Sequence, residues 1–223
     1  MKKLILLHGA LGDASLFQAW QEALKKNFQC YSFNFSGHGK RSFDDEGFGI
    51  EVFADELRKF INSNKLKEAD VFGYSMGGYV ALYLASLKPE LLGKITTLGT
   101  KFDWTPESAE KEIEKLNPEL ITEKVPAFAK ALAERHGKKE WKTLVWQTAG
   151  MMLELGDEPI LTNAVLATIP NEVNILLGDE DNMVSKEESE NTAKALPKGN
   201  FILLAQTQHP LEKIDLKKLA TAL

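Results

Sequence analysis

The sequence is poor in cysteine, in long apolar runs and in surplus positive charge, and each shortage closes off a class of protein. Cys30 is the one cysteine among 223 residues, which excludes an intramolecular disulfide and a cysteine-built metal cluster. It falls in the stretch 28–33, where a buried, inert thiol inside a strand is expected. No segment approaches the roughly 20 consecutive apolar residues that a membrane-spanning helix needs. The amino terminus starts like a secretory leader, with Lys2-Lys3 ahead of Leu4-Ile5-Leu6-Leu7. The apolar run ends after those four residues at His8-Gly9, too short for a leader, and no small-residue cleavage site follows. It reads as a first strand, and a cytoplasmic location is the expectation. Lys and Arg number 27 against 32 Asp and Glu, a net charge of −5, which argues against nucleic acid or anionic membrane as the main partner. Repeats, low-complexity tracts and Pro/Gly/Ser linkers are also missing, so residues 1–223 are expected to form one domain.

What the sequence does have is a hydroxyl in a tight turn. Gly73-Tyr74-Ser75-Met76-Gly77-Gly78 follows the apolar run 69–72 and precedes the helix-compatible run 79–85. That is strand, sharp turn and helix, with Ser75 at the apex. A serine held in a strained backbone leaves no room for side chains two positions either side, and Gly73 and Gly77 supply none. The pentapeptide alone has little specificity; its setting between strand and helix makes Ser75 a candidate nucleophile.

Around this turn the chain alternates. Strands are expected at 4–7, 28–33, 69–74 and 94–98, with helices at 14–26, 50–62 and 76–87 between them. Leu16, Phe17, Trp20 and Leu24 mark the buried face of the first helix, and Val52, Phe53, Leu57, Phe60 and Ile61 that of the second. Such alternation predicts a parallel sheet with right-handed crossovers. From about 103 to 156 it pauses: helical patterns at 106–116, 121–136 and 140–155 read as an inserted helical cap. Trp141, Trp146, Met151 and Met152 either wall an apolar pocket or fasten the cap to the body. A short helix at 159–167 leads back to strands at 172–177 and 201–205. A helix to residue 195 with Ser185 as its N-cap and a closing helix over 211–223 complete the chain. The expected fold is α/β, a mostly parallel six-stranded sheet with helices on both faces.

A serine hydroxyl needs a base within hydrogen-bond reach, and there are four histidines. His8 sits in a His-Gly pair after the first strand and suits loop structure. His38, between Gly37 and Gly39, has a structural role but remains a rival because it too lies at a strand end. His136 closes a cap helix and is expected on the surface. His209 follows the last strand and is the preferred base, since the ends of parallel strands converge on one crevice. The acid that orients the base comes from the loop Gly178-Asp179-Glu180-Asp181, which offers three carboxylates after the fifth strand.

These motifs together resemble the α/β-hydrolase superfamily over nearly the whole chain. The matching residues are His8-Gly9, Gly37-His38-Gly39, Gly73-Tyr74-Ser75-Met76-Gly77-Gly78, Gly178-x-x-Asp181-x-x-Val184 and His209-Pro210, each at a strand end and in the family's order. The resemblance implies that Asp181, rather than Asp179, is the acid, and that the oxyanion hole is formed by the backbone N–H groups of Ala10 and Met76. It also marks departures. Two further strands often precede the His-Gly strand, so six strands are expected instead of eight. Asn34 stands where the family usually has Asp, and a serine that commonly follows Gly-His-Gly is displaced to Ser42.

The reading that follows is a serine hydrolase acting on a small carboxylic ester or related acyl compound, with Ser75 as nucleophile, His209 as base and Asp181 as its orienting acid. No metal or organic cofactor is required. The resemblance equally accommodates carbon–carbon bond hydrolysis or a lyase step with the same triad. A binding or signalling module with a vestigial triad is disfavoured, because a bystander serine would not need every partner. A serine in place of an aspartate at the elbow argues against dehalogenase and epoxide-hydrolase chemistry.

Overall fold

The computed structural model describes residues 1–220 and 223. Its elements follow the order β1 (Lys2–Leu7), α1 (Gln18–Leu24), β2 (Phe28–Ser32), α2 (Ile50–Asn64), β3 (Ala69–Tyr74), α3 (Met76–Leu87) and β4 (Leu92–Leu98). Helices α4 (Pro106–Ile113), α5 (Pro118–Lys124), α6 (Pro126–His136), α7 (Glu140–Asp157) and α8 (Asn163–Leu166) come next. The chain then returns to β5 (Val173–Gly178), α9 (Lys186–Ala195), β6 (Gly199–Leu204) and α10 (Leu216–Ala220). The six strands form one sheet in the order β2-β1-β3-β4-β5-β6, and every pair is parallel.

The strand sequences explain why both faces are covered. In Leu4-Ile5-Leu6-Leu7 side chains alternate between faces, yet all four are apolar, as a strand buried on both sides requires. Ile5 and Leu7 pack with Val71 and Ile95 under Phe53, Leu57 and Ile61 of α2 and Val80 and Leu84 of α3. Leu4 and Leu6 join Phe72, Leu98 and Leu176 on the opposite face, beneath Trp20 and Leu24 of α1 and Leu211, Ile214 and Leu219 near the carboxyl end. Each such side chain contributes roughly 1.5–3 kcal/mol through burial, and truncating one to alanine costs about 2–5 kcal/mol.

The order also places a crevice. The chain runs outward from β1 to β2, then crosses back so that β3 lies on the other side of β1. At such a reversal the loops at the carboxyl ends of the two inner strands diverge and leave a gap. The register makes those ends level: Leu7 pairs with Gly73, Tyr74 with Leu98, and Leu98 with Leu176.

Several expected boundaries shift for identifiable reasons. The helix expected at 14–26 begins as a 3-10 turn, Ala14–Phe17, capped by the Asp13 carboxylate. The single helix expected at 121–136 is two: Pro126 has no N–H to donate and pushes Val125 out of helical conformation, to φ −136° and ψ 61°. The helix expected at 106–116 stops at Ile113, and the one expected at 159–167 shrinks to α8, whose N-cap is Thr162. The closing helix expected over 211–223 is a 3-10 turn, Leu211–Lys213, and α10, separated at Ile214 by an extended backbone; the part of it on Thr221 and Ala222 lies outside the described residues. Ser185 does cap α9, through a reciprocal pair with Glu188. Cys30, expected to be buried, is only partly so, because β2 is an edge strand.

The helices between β4 and β5 meet the body through an apolar cluster of their own. Ile121, Ala129, Leu132, Trp141, Leu144 and Val145 pack on Leu11 of the loop after β1, with Phe43 and Phe48 alongside. Among the described residues no helix is long and apolar enough to cross a membrane.

Candidate active site

Ser75 stands between β3 and α3 with φ 50° and ψ −120°, a left-handed conformation that costs a non-glycine residue energy unless its surroundings hold it. Its surroundings do. Ser75 N–H donates to Leu98 O at 2.8 Å, and Thr100 Oγ1 donates to Ser75 O at 2.8 Å. The flanking glycines are required by space: a Cβ at Gly73 would lie 2.4 Å from Gly78 N, and one at Gly77 would lie 2.5 Å from Leu7 O. Gly78 is equally confined, since a Cβ there would meet Thr100 Oγ1 at 2.2 Å.

The loops after β5 and β6 bring the acid and the base together. His209 Nδ1–H donates to Asp181 Oδ2 at 2.7 Å, with both side chains nearly buried. Asp181 Oδ1 accepts from the amides of Met183 and Val184 at 2.8 and 3.1 Å, so both carboxylate oxygens are engaged. Burial alone would raise the Asp181 carboxyl, but the hydrogen bond and charge of His209 and the two amides outweigh it and hold the group below its ordinary value. A proton on Nδ1 leaves the Nε2 lone pair of His209 available. The imidazole is further placed by Gly99, at φ 60°, where a Cβ would come within 3.0 Å of His209 Cε1. Tyr74 Oη donates to the backbone O of His209 at 3.1 Å. Asp179 does something else: its Oδ1 accepts the Thr207 N–H at 3.2 Å and so ties the β5 and β6 loops together.

Ser75, Met76, Ala10 and His209 all line one cleft holding about 510 Å³ of space, part of it open to solvent. Met76 is the first residue of α3, and the first-turn amides of a helix have no intrahelical acceptor and carry the positive end of its dipole. Ala10 reaches the same cleft because Gly9 packs flat on the elbow; a Cβ at Gly9 would lie 3.0 Å from Ser75 Cβ.

The other three histidines are buried, are not among the residues lining that cleft, and form a cluster. His8 and His38 have ring centroids 4.9 Å apart, and His38 and His136 5.8 Å. His136, expected on the surface, is buried: Nε2–H donates to Leu11 O at 2.9 Å and Nδ1 accepts the Gly39 N–H at 3.0 Å. The sequence marks where α6 ends but not that this end docks on the loops after β1 and β2. His8 Nδ1–H donates to Gly9 O at 2.9 Å and Nε2 accepts the Phe35 N–H at 3.2 Å. His38 Nδ1–H donates to Ser36 O at 3.0 Å. Asn34 sits in the same region, where its Oδ1 accepts from Ala14 N–H at 2.7 Å while its Nδ2 donates to Gly39 O at 3.3 Å; the second bond needs an amide and could not come from an aspartate. Among the described residues no group of three or more His, Cys, Asp or Glu is disposed to hold a metal ion.

This cluster sets an acid limit on stability. Burial lowers all three imidazoles, His8 from 6.5 to about 4, and His38, which also lies next to the His8 ring, well below its ordinary value. The folded chain therefore binds fewer protons than the unfolded one as the pH falls below 6.5, so stability is full above that pH and declines towards pH 4. For His8 alone the loss is about 2 kcal/mol by pH 5 and about 3 kcal/mol by pH 4. Urea midpoints between pH 7.5 and 5 should fall accordingly; a flat profile would contradict the buried neutral cluster.

The cleft wall differs from the sequence expectation. Met151 and Met152 line it, but Trp141 is buried in the cluster against Leu11 and Trp146 is 51% exposed. Helical periodicity accounts for this, because Trp146 lies opposite the stripe Leu144, Thr148, Met151 and Leu155 that faces inward. Sequence reading also passed over Lys101 and Trp104, which line the cleft; their signal was position, just past the end of the fourth strand.

The sequence profile of the alpha/beta hydrolase fold matches residues 2–145. The chain is 26% identical over 175 residues to the pimeloyl-[acyl-carrier protein] methyl ester esterase of Citrobacter koseri, covering 78% of this chain and 64% of that protein. It is 30% identical over 98 residues to the serine hydrolase-like protein of Homo sapiens, covering 43% of this chain and 48% of that protein. Both matches span less than two thirds of the relative's length. Among solved structures, a thermophilic esterase from Thermogutta terrifontis superposes with a TM-score of 0.77 at 22% identity, over 100% of this chain and 88% of that one. The hydrolase BphD from Rhodococcus sp. strain RHA1 does so with a TM-score of 0.79 at 19% identity, over 99% and 88%. At those identities the likeness speaks for the fold. Because the profile spans more than half of the sequence and the sheet order agrees with it, the chain belongs to the α/β-hydrolase fold family.

Proposed function

We propose that this chain is a serine hydrolase that cleaves a small carboxylic ester or related acyl compound through an acyl-enzyme. The observation that carries the reading is the His209–Asp181 pair at 2.7 Å opening onto the same cleft as Ser75, itself held in a strained conformation. Ser75 Oγ attacks the acyl carbon as its proton passes to His209 Nε2, and the imidazolium that forms is stabilised by Asp181. The carbonyl oxygen becomes an oxyanion that the Ala10 and Met76 N–H groups receive; one such donor contributes roughly 3 kcal/mol in the transition state. Collapse breaks the bond to the leaving alcohol, which takes the proton from His209. Water then adds to the acyl-enzyme with His209 as base, releasing the acid and restoring Ser75.

A panel of p-nitrophenyl esters from acetate to octanoate tests this. The expected result is a burst of p-nitrophenolate stoichiometric with enzyme, with an acyl adduct on Ser75 found by peptide mass spectrometry. An adduct on another residue, or neither adduct nor turnover, would overturn the assignment. An adduct that forms and never turns over would favour a lyase step on the same triad or a binding or signalling module on this fold.

A further inference from the structure

Most of the cleft wall is apolar. Apart from Ser75 and His209 it holds one cation, Lys101, and one anion, Glu112. Lys101 follows β4 and stands two residues beyond Gly99, whose backbone packs on the His209 ring. Glu112 reaches in from α4. Their Nζ and Oε1 atoms are 3.9 Å apart, with side chains 18% and 16% exposed. That separation allows attraction between the charges but lies beyond hydrogen-bond reach, so the ammonium donates no hydrogen bond to Glu112. Lys101 Nζ also lies 5.5 Å from the centroid of the Trp104 indole. Trp104 is 9% exposed, and its Nε1 is buried with no hydrogen-bond partner among the described residues.

Both donors are therefore unmet here, since the Glu112 carboxylate stands too far from the ammonium to accept from it and the indole N–H has no partner among the described residues. An ammonium has three N–H donors and an indole one, and neither can accept. A buried donor without a partner is costly and calls for an explanation. A ligand group that only accepts, is compact and carries negative charge would satisfy both, and the surrounding Met151, Met152 and Leu155 would strengthen the attraction by excluding water. A cationic group paired with Glu112 fits less well, because Lys101 would repel it and the indole would stay unmet.

We infer that the acyl substrate carries a free carboxylate, as in a monoester of a dicarboxylic acid, and that Lys101 and Trp104 receive this carboxylate while Ser75 attacks the ester. The inference rests on Ser75 being the nucleophile and concerns what its cleft selects. Glu112 then serves as counter-ion in the empty cleft and competes with the substrate for Lys101.

The test uses matched p-nitrophenyl esters of equal chain length, one ending in carboxylate and one in methyl, from the succinate/butyrate pair to the suberate/octanoate pair. At the best length the wild type should favour the carboxylate ester by kcat/KM at least tenfold. Lys101→Met should lower the carboxylate-to-methyl ratio by about 10–100-fold, chiefly through KM, because a hydrogen-bonded charge is lost. Lys101→Arg should retain most of the preference, and Trp104→Phe should lose about tenfold of it. Glu112→Gln should lower KM for the carboxylate ester, an effect that a merely structural ion pair would not produce. A wild-type preference for the methyl-ended ester at every length, or equal losses on both esters in Lys101→Met, would overturn the inference. So would a preference for an amine-ended ester, which assigns the recognition to Glu112. Acylation of Ser75 by both esters without charge preference defeats this inference alone, whereas acylation of Ser75 by neither ester defeats the nucleophile assignment and this inference with it.

Discussion

Ser75→Ala should abolish covalent labelling by a fluorophosphonate probe and lower ester turnover by about four orders of magnitude or more. The substitution removes one oxygen and keeps the Cβ, so the backbone bonds that hold the elbow, from Ser75 N–H to Leu98 O and from Thr100 Oγ1 to Ser75 O, remain available. Loss of activity with an unchanged urea midpoint therefore separates chemistry from folding. Labelling that persists in Ser75→Ala would remove Ser75 from the mechanism, whatever the turnover. The expected size follows from the parts acting as a unit: with no nucleophile, the base and the oxyanion donors have nothing to activate or stabilise beyond a bound water.

Asp181→Asn should cost nearly as much, about 10⁴-fold in kcat, while Asp179→Asn should cost far less. An asparagine at 181 can turn its NH2 towards His209 Nδ1, which then accepts instead of donating and places its proton on Nε2, the atom that must take the serine's proton. At 179 the amide oxygen of asparagine can still accept the Thr207 N–H that Asp179 Oδ1 accepts now. Steady-state kinetics on one ester for the two variants decides the matter; the reverse order of effects would move the orienting role to Asp179. The depressed carboxyl at Asp181 adds a sign. Its contribution to stability is present above the ordinary aspartate range and is lost only as the pH falls through its lower folded value.

Much of the fold is legible in the residues because local rules and burial agree. Leu4-Ile5-Leu6-Leu7 has apolar side chains for both faces of a central strand, and the chain places it between β2 and β3. Residues 69–74 and 76–87 coincide with β3 and α3 because the turn between them is dictated by Gly73 and Gly77, which permit no side chain. Legibility falls where an element's neighbours decide its form. Pro126 divides a continuous helical pattern, Cys30 is opened to solvent by its edge position, and Trp146 takes the outward face of a helix whose composition reads as wall.

The candidate site divides along the same line. Ser75 could be read from its own turn, and His209 and Asp181 from loops at strand ends, since parallel strands bring those ends to one edge of the sheet. The choice among three carboxylates in 179–181 could not be read that way: neighbouring residues in a tight loop point in different directions, and only the packed loop shows Asp181 on the imidazole and Asp179 on Thr207. His136, Lys101, Glu112 and Trp104 carry no motif at all. The sequence by itself determined the order of strands and helices and the turn that exposes a serine, because both depend on patterns a few residues long. Tertiary structure alone decided which distant groups meet around that serine and which histidines it withdraws from water, because those contacts join residues up to 135 positions apart, and no local periodicity records them.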